Sequence, residues 1–268
     1  MFKKNALKAK LLGGEQLFGV WIETGSVINA EILAQTGFDF LLLDLEHGQG
    51  DVRECIDILR AVDSTNVPCV VRVPSNDPVF LKRILDGGVQ SIMVPQVNTA
   101  QEAAAAVQAC YYPPQGRRGY AAPIVRASQY GAKPDYMIRA NDELLLIVQL
   151  ESAEALDHAS EICAVEGVDV PFLGVNDMAG SIGRLEQLDH PDVRSLVQKA
   201  ETAMRASGKP LGTVASAGAT WQSLVEGGYA FIPVANDVSL LRDAAIAAVA
   251  QQRAFRGASR KIVNHARH

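Results

Sequence analysis

The sequence predicts an α/β protein built as one (β/α)8 TIM barrel with a C-terminal helical extension. Three observations carry that expectation. Short apolar runs alternate strictly with amphipathic stretches, eight of each. The 268 residues match the ~250 that such a barrel takes as a single domain. At alternate units a helix pattern ends in glycine and leads into a run of constant length: Gly37-Phe-Asp-Phe-Leu-Leu-Leu-Asp44, Gly88-Val-Gln-Ser-Ile-Met-Val-Pro95, Gly167-Val-Asp-Val-Pro-Phe-Leu-Gly174 and Gly228-Tyr-Ala-Phe-Ile-Pro-Val-Ala235. An open doubly wound sheet needs the same alternation, but no GxGxxG phosphate turn follows the first run.

The runs fall at residues 17–21, 38–43, 68–73, 91–94, 144–150, 168–174, 211–215 and 229–234. They are rich in Val, Ile, Leu and Phe and almost continuously apolar, as parallel strands buried on both faces read. Helix patterns lie between and after them at 26–36, 52–62, 78–85, 99–110, 153–163, 192–206, 219–225 and 238–251. Glycine just past a helix suits a left-handed cap, and its recurrence at alternate strands fits the layered filling of a barrel. One connection breaks the pattern. Residues 111–143 form a Gly-, Pro-, Arg- and Tyr-rich stretch far beyond the usual ~2–6 residues. It is expected to be an arm at a subunit contact or site rim, or a plain insertion. Residues 252–268 are expected as a C-terminal tail, helical or frayed.

Composition excludes several functional classes. With 48% hydrophobic and 21% charged residues the chain is neither disordered nor unusually charged. A net charge of −5 gives no attraction to nucleic acid or anionic lipid. No apolar run approaches the ~20 residues of a membrane span, and the N-terminus lacks the apolar core of a secretory signal. The four cysteines, at 55, 69, 110 and 163, form no CxxC pair. They read as buried small apolar residues rather than as a zinc or redox site, which points to a reducing, cytoplasmic setting.

Barrel active sites lie at the C-terminal ends of the strands, and there this sequence turns abruptly polar. The ends read Asp44-Leu-Glu46-His47, Arg72, Pro95-Gln96, Gln149-Leu-Glu151, Gly174-Val175-Asn176-Asp177, Ala215-Ser216 and Ala235-Asn236-Asp237. Charged groups in a barrel wall are costly unless paired or metal-bound. Glu151 and Asp177, at the ends of adjacent strands with no Cys or His near either, suit a hard divalent cation, Mg²⁺ or Mn²⁺, with Co²⁺ a third candidate. The alternative is that each caps the helix after it. His47, three residues beyond Asp44, is either a general base whose tautomer Asp44 fixes or a structural histidine. Arg72 needs a counter-charge, from Asp44, from Glu46 or from an anionic substrate. Trp21 is a pocket wall or plain core.

Two other chemistries find less support. Gly212–Gly218 could cradle a phosphate, but Asn236 and Asp237 would crowd an anion there. No lysine ends a strand (Lys82 and Lys209 lie outside), so Schiff-base aldol chemistry is not expected.

The segments Gly37–His47, Pro68-Cys-Val-Val-Arg72, Tyr112-Pro-Pro-Gln-Gly-Arg-Arg-Gly119, Gln149-Leu-Glu151 and Phe172-Leu-Gly-Val-Asn-Asp177 resemble the HpcH/HpaI class II pyruvate aldolases, the 2,4-dihydroxyhept-2-ene-1,7-dioate aldolase family. The resemblance runs from about Phe18 to Asp237. It implies a (β/α)8 barrel, a divalent metal held by Glu151 and Asp177, a His47–Asp44 acid/base pair, Arg72 beside the keto oxygen, and Gln149 near the metal-bound ligand. It implies cleavage of a 4-hydroxy-2-keto acid to pyruvate or a related 2-keto acid and an aldehyde, through a metal-stabilised enolate. It further implies a homohexamer of dimers that exchange the C-terminal helix. The chain departs from the family at Gly174-Val175-Asn176. There the family usually has Gly-Pro and a small residue, and its backbone N–H groups hold a pyruvate carboxylate. Val175 adds an N–H that Pro lacks and Asn176 adds bulk and polarity, so the keto acid stays open. Two alternatives stand beside this reading: a metal-independent, citrate-synthase-like enzyme of siderophore biosynthesis using oxaloacetate, and a silent barrel serving as a binding module.

Overall fold

A computed structural model describes residues 2–215 and 219–265, with side chains as far as residue 256. Eight parallel strands close a barrel in sequence order: β1 (Leu17–Ile22), β2 (Phe40–Asp44), β3 (Cys69–Arg72), β4 (Ser91–Val94), β5 (Leu145–Leu150), β6 (Val170–Leu173), β7 (Leu211–Thr213) and β8 (Tyr229–Asn236). The expected (β/α)8 architecture is therefore the one observed. The echoed glycines, Gly37, Gly88, Gly167 and Gly228, all have positive φ, between 78° and 101°. A side chain would strain each of these helix-to-strand turns.

Strand side chains alternate between two faces. The inner set, Leu17, Trp21, Phe40, Leu42, Val70, Met93, Leu145, Ile147, Val170, Phe172 and Phe231, forms one buried cluster. Phe40 stacks on Phe231 at 4.2 Å. Gly19 makes room for this packing, because a Cβ there would lie 2.1 Å from the Phe40 ring. The outer set, including Val20, Leu41, Leu43, Val71 and Ile92, packs under the surrounding helices.

Several elements differ from expectation. An N-terminal helix, Ala6–Leu12, closes the bottom of the barrel, burying Leu7 and Leu11 against the inner cluster. Asn5 caps it by accepting from the Lys8 N–H and donates to Ser91 and to the backbone of Gln90 and Glu143. The helix expected over 153–163 breaks at His158 into Ala153–Asp157 and Ala159–Ala164. A short helix, Val175–Ser181, follows β6 directly. The last helix runs Asp237–His265, 29 residues, so the segment from 252 to 265 continues it. Residues 266–268 of the expected tail lie outside the described residues.

The long connection 111–143 is ordered around Arg118. Its guanidinium stacks 4.4 Å from the Tyr112 ring and donates to Asp86 and the Tyr136 hydroxyl. Arg126 donates to the carbonyl of Gly87, in the turn leading into β4. These contacts hold the arm against the N-terminal side of the barrel, and none of its residues lines the cavity at the opposite end. All four cysteines are free and buried, and burial pushes each thiol up.

Candidate active site

The inward strand positions are apolar at the bottom and polar at the top. In β2, Phe40 and Leu42 lead to Asp44; in β3, Val70 leads to Arg72. In β5, Leu145 and Ile147 lead to Gln149 and then Glu151 just past the strand. The side chain that fills the core in one layer is thus replaced two residues later by one that faces the mouth. A cavity of about 310 Å³ opens there, lined by Trp21, Glu23, His47, Arg72, Gln149 and Asp177 among others, and by Gly174, Val175 and Asn176. Phe172 also lines it.

Strand register sets the first pair. Asp44 and Arg72 are direct Cα partners across β2 and β3. Arg72 donates from Nε to Asp44 Oδ1 at 2.9 Å and from Nη2 to Oδ2 at 2.6 Å. Its Nη1 stands 3.1 Å from Glu46, and its guanidinium lies 4.5 Å from the centre of the Trp21 ring. Both carboxylates therefore serve as counter-charge, and Trp21 is at once core and cavity wall. Burial pushes the Asp44 carboxyl up, but Arg72 and the N–H groups of Glu46 and His47 outweigh it and hold it below the usual range.

This geometry corrects the expected His47–Asp44 pair. The Asp44 oxygens face Arg72 and two backbone N–H groups, not the imidazole. The His47 side chain is 67% exposed at the cavity mouth, with Nε2 3.9 Å from Glu46. Asp44 positions the turn that carries His47, and Glu46 is the carboxylate beside the ring.

Glu151 is 5% exposed. Its Oε1 accepts the Gln96 N–H at 2.7 Å and its Oε2 the Gln149 amide at 3.0 Å. Among the described residues no lysine or arginine pairs with it. Burial raises its pKa to about 7, against the Gln96 N–H and with help from the charges of Glu46 and Asp177. The Gln149 Oε1 is also buried, without a hydrogen-bond partner among the described residues. Gly174 permits the close approach of β6, since a Cβ would lie 2.7 Å from Glu151 Oε2. Gly174 also ends β6 as the N-cap of the short helix, with no side chain capping it, so Val175, Asn176 and Asp177 present their N–H groups at the cavity. Among the described residues no three His, Cys, Asp or Glu side chains form a closed metal cage. A buried carboxylate with no cationic partner, an exposed one nearby and an orphaned amide oxygen fit an open site for an oxygen-liganded divalent cation, the remaining positions left to water and substrate.

A family model described as HpcH/HpaI aldolase/citrate lyase matches residues 17–244. The chain belongs to that family. It is 43% identical over 223 residues to the 2-dehydro-3,6-dideoxy-6-sulfogluconate aldolase of Pseudomonas putida, covering 83% of this chain and 87% of that protein. It is 40% identical over 248 residues to the hydroxypyruvate/pyruvate aldolase of Chromohalobacter salexigens, covering 92% and 97%. A crystal structure of an HpcH/HpaI aldolase/citrate lyase family protein from Burkholderia cenocepacia J2315 superposes with a TM-score of 0.89 at 38% identity, over 93% of this chain and all of that one. As an HpcH/HpaI protein with named aldolases among its relatives, the chain is a carbon–carbon lyase of the aldolase class.

Residue-by-residue reading of this HpcH/HpaI barrel missed Glu23. It follows the end of β1 and lines the cavity. The signal was available: Glu23 is two residues beyond Trp21 and so shares its inward face. Asp237 is not a cavity group. It is buried and accepts from the N–H groups of Glu23 and Thr24, the Thr24 hydroxyl and the Asn29 amide, so it anchors the turn after β1. Residues 216–218 of the expected phosphate loop, which spans 212–218, lie outside the described residues.

Proposed function

We propose that this protein cleaves a 4-hydroxy-2-keto acid into pyruvate, or a related 2-keto acid, and an aldehyde. The observation that carries this reading is the buried Glu151 carboxylate, without a cationic partner among the described residues and hydrogen-bonded to Gln149, which lines the cavity together with Arg72 and Asp177. Glu151 and Asp177 would hold a divalent cation, Mg²⁺, Mn²⁺ or Co²⁺, which supplies Lewis-acid polarisation of the keto group.

The protein's own groups then divide the work. The N–H groups of Val175, Asn176 and Asp177 bind the substrate carboxylate. Gln149 and the Trp21 wall orient the keto acid. Arg72, kept in one rotamer by Asp44 and Trp21, places permanent positive charge where negative charge grows on the keto oxygen. His47, at the mouth beside Glu46, takes the proton of the C4 hydroxyl as the C3–C4 bond breaks. The Val175 N–H and the Asn176 side chain widen the donor set at the carboxylate end.

The last helix carries exposed Leu241, Ile246 and Val249, which supports a homo-oligomer, a hexamer on the family pattern. Free buried cysteines suit the reducing cytoplasm. No helix among the described residues is long and apolar enough to cross a membrane.

The test is a pyruvate-release screen over 4-hydroxy-2-keto acids of varied chain length, with Mg²⁺, Mn²⁺ or Co²⁺ and with EDTA. Metal-dependent release from at least one compound is expected. Full activity in EDTA, or no release from any compound, would overturn the reading.

A further inference from the structure

Glu23 stands on the inward face of the first strand's extension, one layer above Trp21, and lines the active-site cavity. Its carboxylate makes no hydrogen bond or ion pair with any described side chain, while its N–H is tied to Asp237, which fixes the backbone from which it projects. Burial raises its pKa, and the charges of Asp44 and Asp237 add to that, against Arg72 and His47. Across the neighbouring strand β8, Asn236 is the Cα partner of Trp21 and also lines the cavity. Its Oδ1 accepts the Ser239 N–H at 2.6 Å, so its amide nitrogen is what it can offer a ligand. Val214, Ala215, Pro233, Val234 and Ala235 make the wall beside these two groups apolar.

From this juxtaposition we infer that Glu23 and Asn236 form a subsite for an uncharged, hydroxyl-bearing aldehyde fragment and select against substrates whose far end is a carboxylate. The inference rests on the proposed aldolase reading. Arg72, although countered by Asp44 and Glu46, and the backbone N–H groups of residues 175–177 are the cavity's donors for an anion, whereas Glu23 offers only acceptors. A hydroxyl both donates and accepts, which matches a carboxylate acceptor beside an amide donor. A carboxylate tail only accepts, so it could use Asn236 alone and would face Glu23 with like charge. Such an unpaired charge set against the wrong ligand is a usual source of selectivity.

Two measurements on the full-length, metal-loaded protein test the inference. The first compares kcat/KM for 4,5-dihydroxy-2-oxopentanoate and 4-hydroxy-2-oxopentanedioate, which differ only in a terminal hydroxymethyl or carboxylate group. Wild type should favour the first by ~10-fold or more, and Glu23→Gln should reduce that ratio by ~10-fold. The second is calorimetric binding of two keto acids that lack the C4 hydroxyl, 2-oxopentanoate and 2-oxopentanedioate. Glu23→Gln should tighten the dianion relative to the monoanion by a similar factor. An unchanged ratio in both measurements, or a wild-type preference for the dicarboxylate, would overturn the subsite. If no compound of the wider 4-hydroxy-2-keto acid screen is cleaved but the binding ratio shifts as expected, the proposed cleavage fails and the subsite stands.

Discussion

The Arg72 guanidinium is bidentate on Asp44, at 2.9 and 2.6 Å, and both residues are nearly inaccessible to solvent. The pairing follows from the β2–β3 register, which sets the two Cα atoms opposite each other. It turns Arg72 into a charge with one orientation. Arg72→Lys should therefore not restore function, because an ammonium cannot reproduce the fork. Both Arg72→Lys and Arg72→Ala should lose cleavage by ~10²–10³ and lose exchange of the pyruvate methyl protons with D₂O in parallel. Near-normal exchange in Arg72→Ala, with the fold intact by circular dichroism, would make the residue a structural ion-pair partner only.

Asp44→Ala removes the bidentate partner and leaves the buried guanidinium with Glu46. Breaking a buried pair in this way typically costs ~3–5 kcal/mol. Urea unfolding should show a loss of that order, together with a fall in kcat. A variant as stable as wild type would mean that Glu46 suffices as counter-charge.

His47→Ala should lower aldol cleavage by ~10²–10⁴ while keeping substantial methyl-proton exchange with pyruvate alone, since that exchange has no C4 hydroxyl to deprotonate. The exposed His47 side chain makes no buried contact to lose, so the melting temperature should stay near that of wild type. Loss of exchange equal to the loss of cleavage would move the residue to the enolisation step itself.

Burial raises Glu151 from the usual 4.5 to about 7. The metal-free folded state thus holds this proton more tightly than the unfolded chain does. The resulting stabilisation is fully present below about pH 4.5 and is lost as the pH rises through about 7. After EDTA treatment the wild-type melting temperature should fall between pH 5 and 8 more steeply than that of Glu151→Gln. Added Mn²⁺ should raise it at pH 8 in wild type and not in the variant. Identical profiles for the two proteins would remove Glu151 as both the titrating group and the ligand.

The helix Asp237–His265 exposes Leu241, Ile246 and Val249 to solvent in the single chain. Light scattering at micromolar concentration should return a mass several times 28.7 kDa. Replacing these three residues together with glutamate should shift the protein toward smaller species. A monomer mass for wild type would contradict the expected assembly.

The barrel was legible because its strands are buried on both faces and its helices on one, which writes two different periodicities into the chain. The four echoed glycines carried their positive φ in plain view. The helix Ala6–Leu12 was not legible: its seven residues are too few to show a period, and Leu7 and Leu11 are explained only by the open barrel bottom they fill. At the site, Arg72, Gln149 and Glu151 stood out as polar residues ending apolar runs. By itself the sequence determined that Arg72 and Gln149 reach the mouth of the barrel, because alternation along a strand is a local property. Which side chains touch there was decided only by tertiary structure. Register between β2 and β3 gave Asp44 to Arg72 rather than to His47, and closure of β8 onto β1 brought Asn236 level with Trp21, below Glu23. Hydrogen bonding between strands sets that register, and no single stretch of chain encodes it.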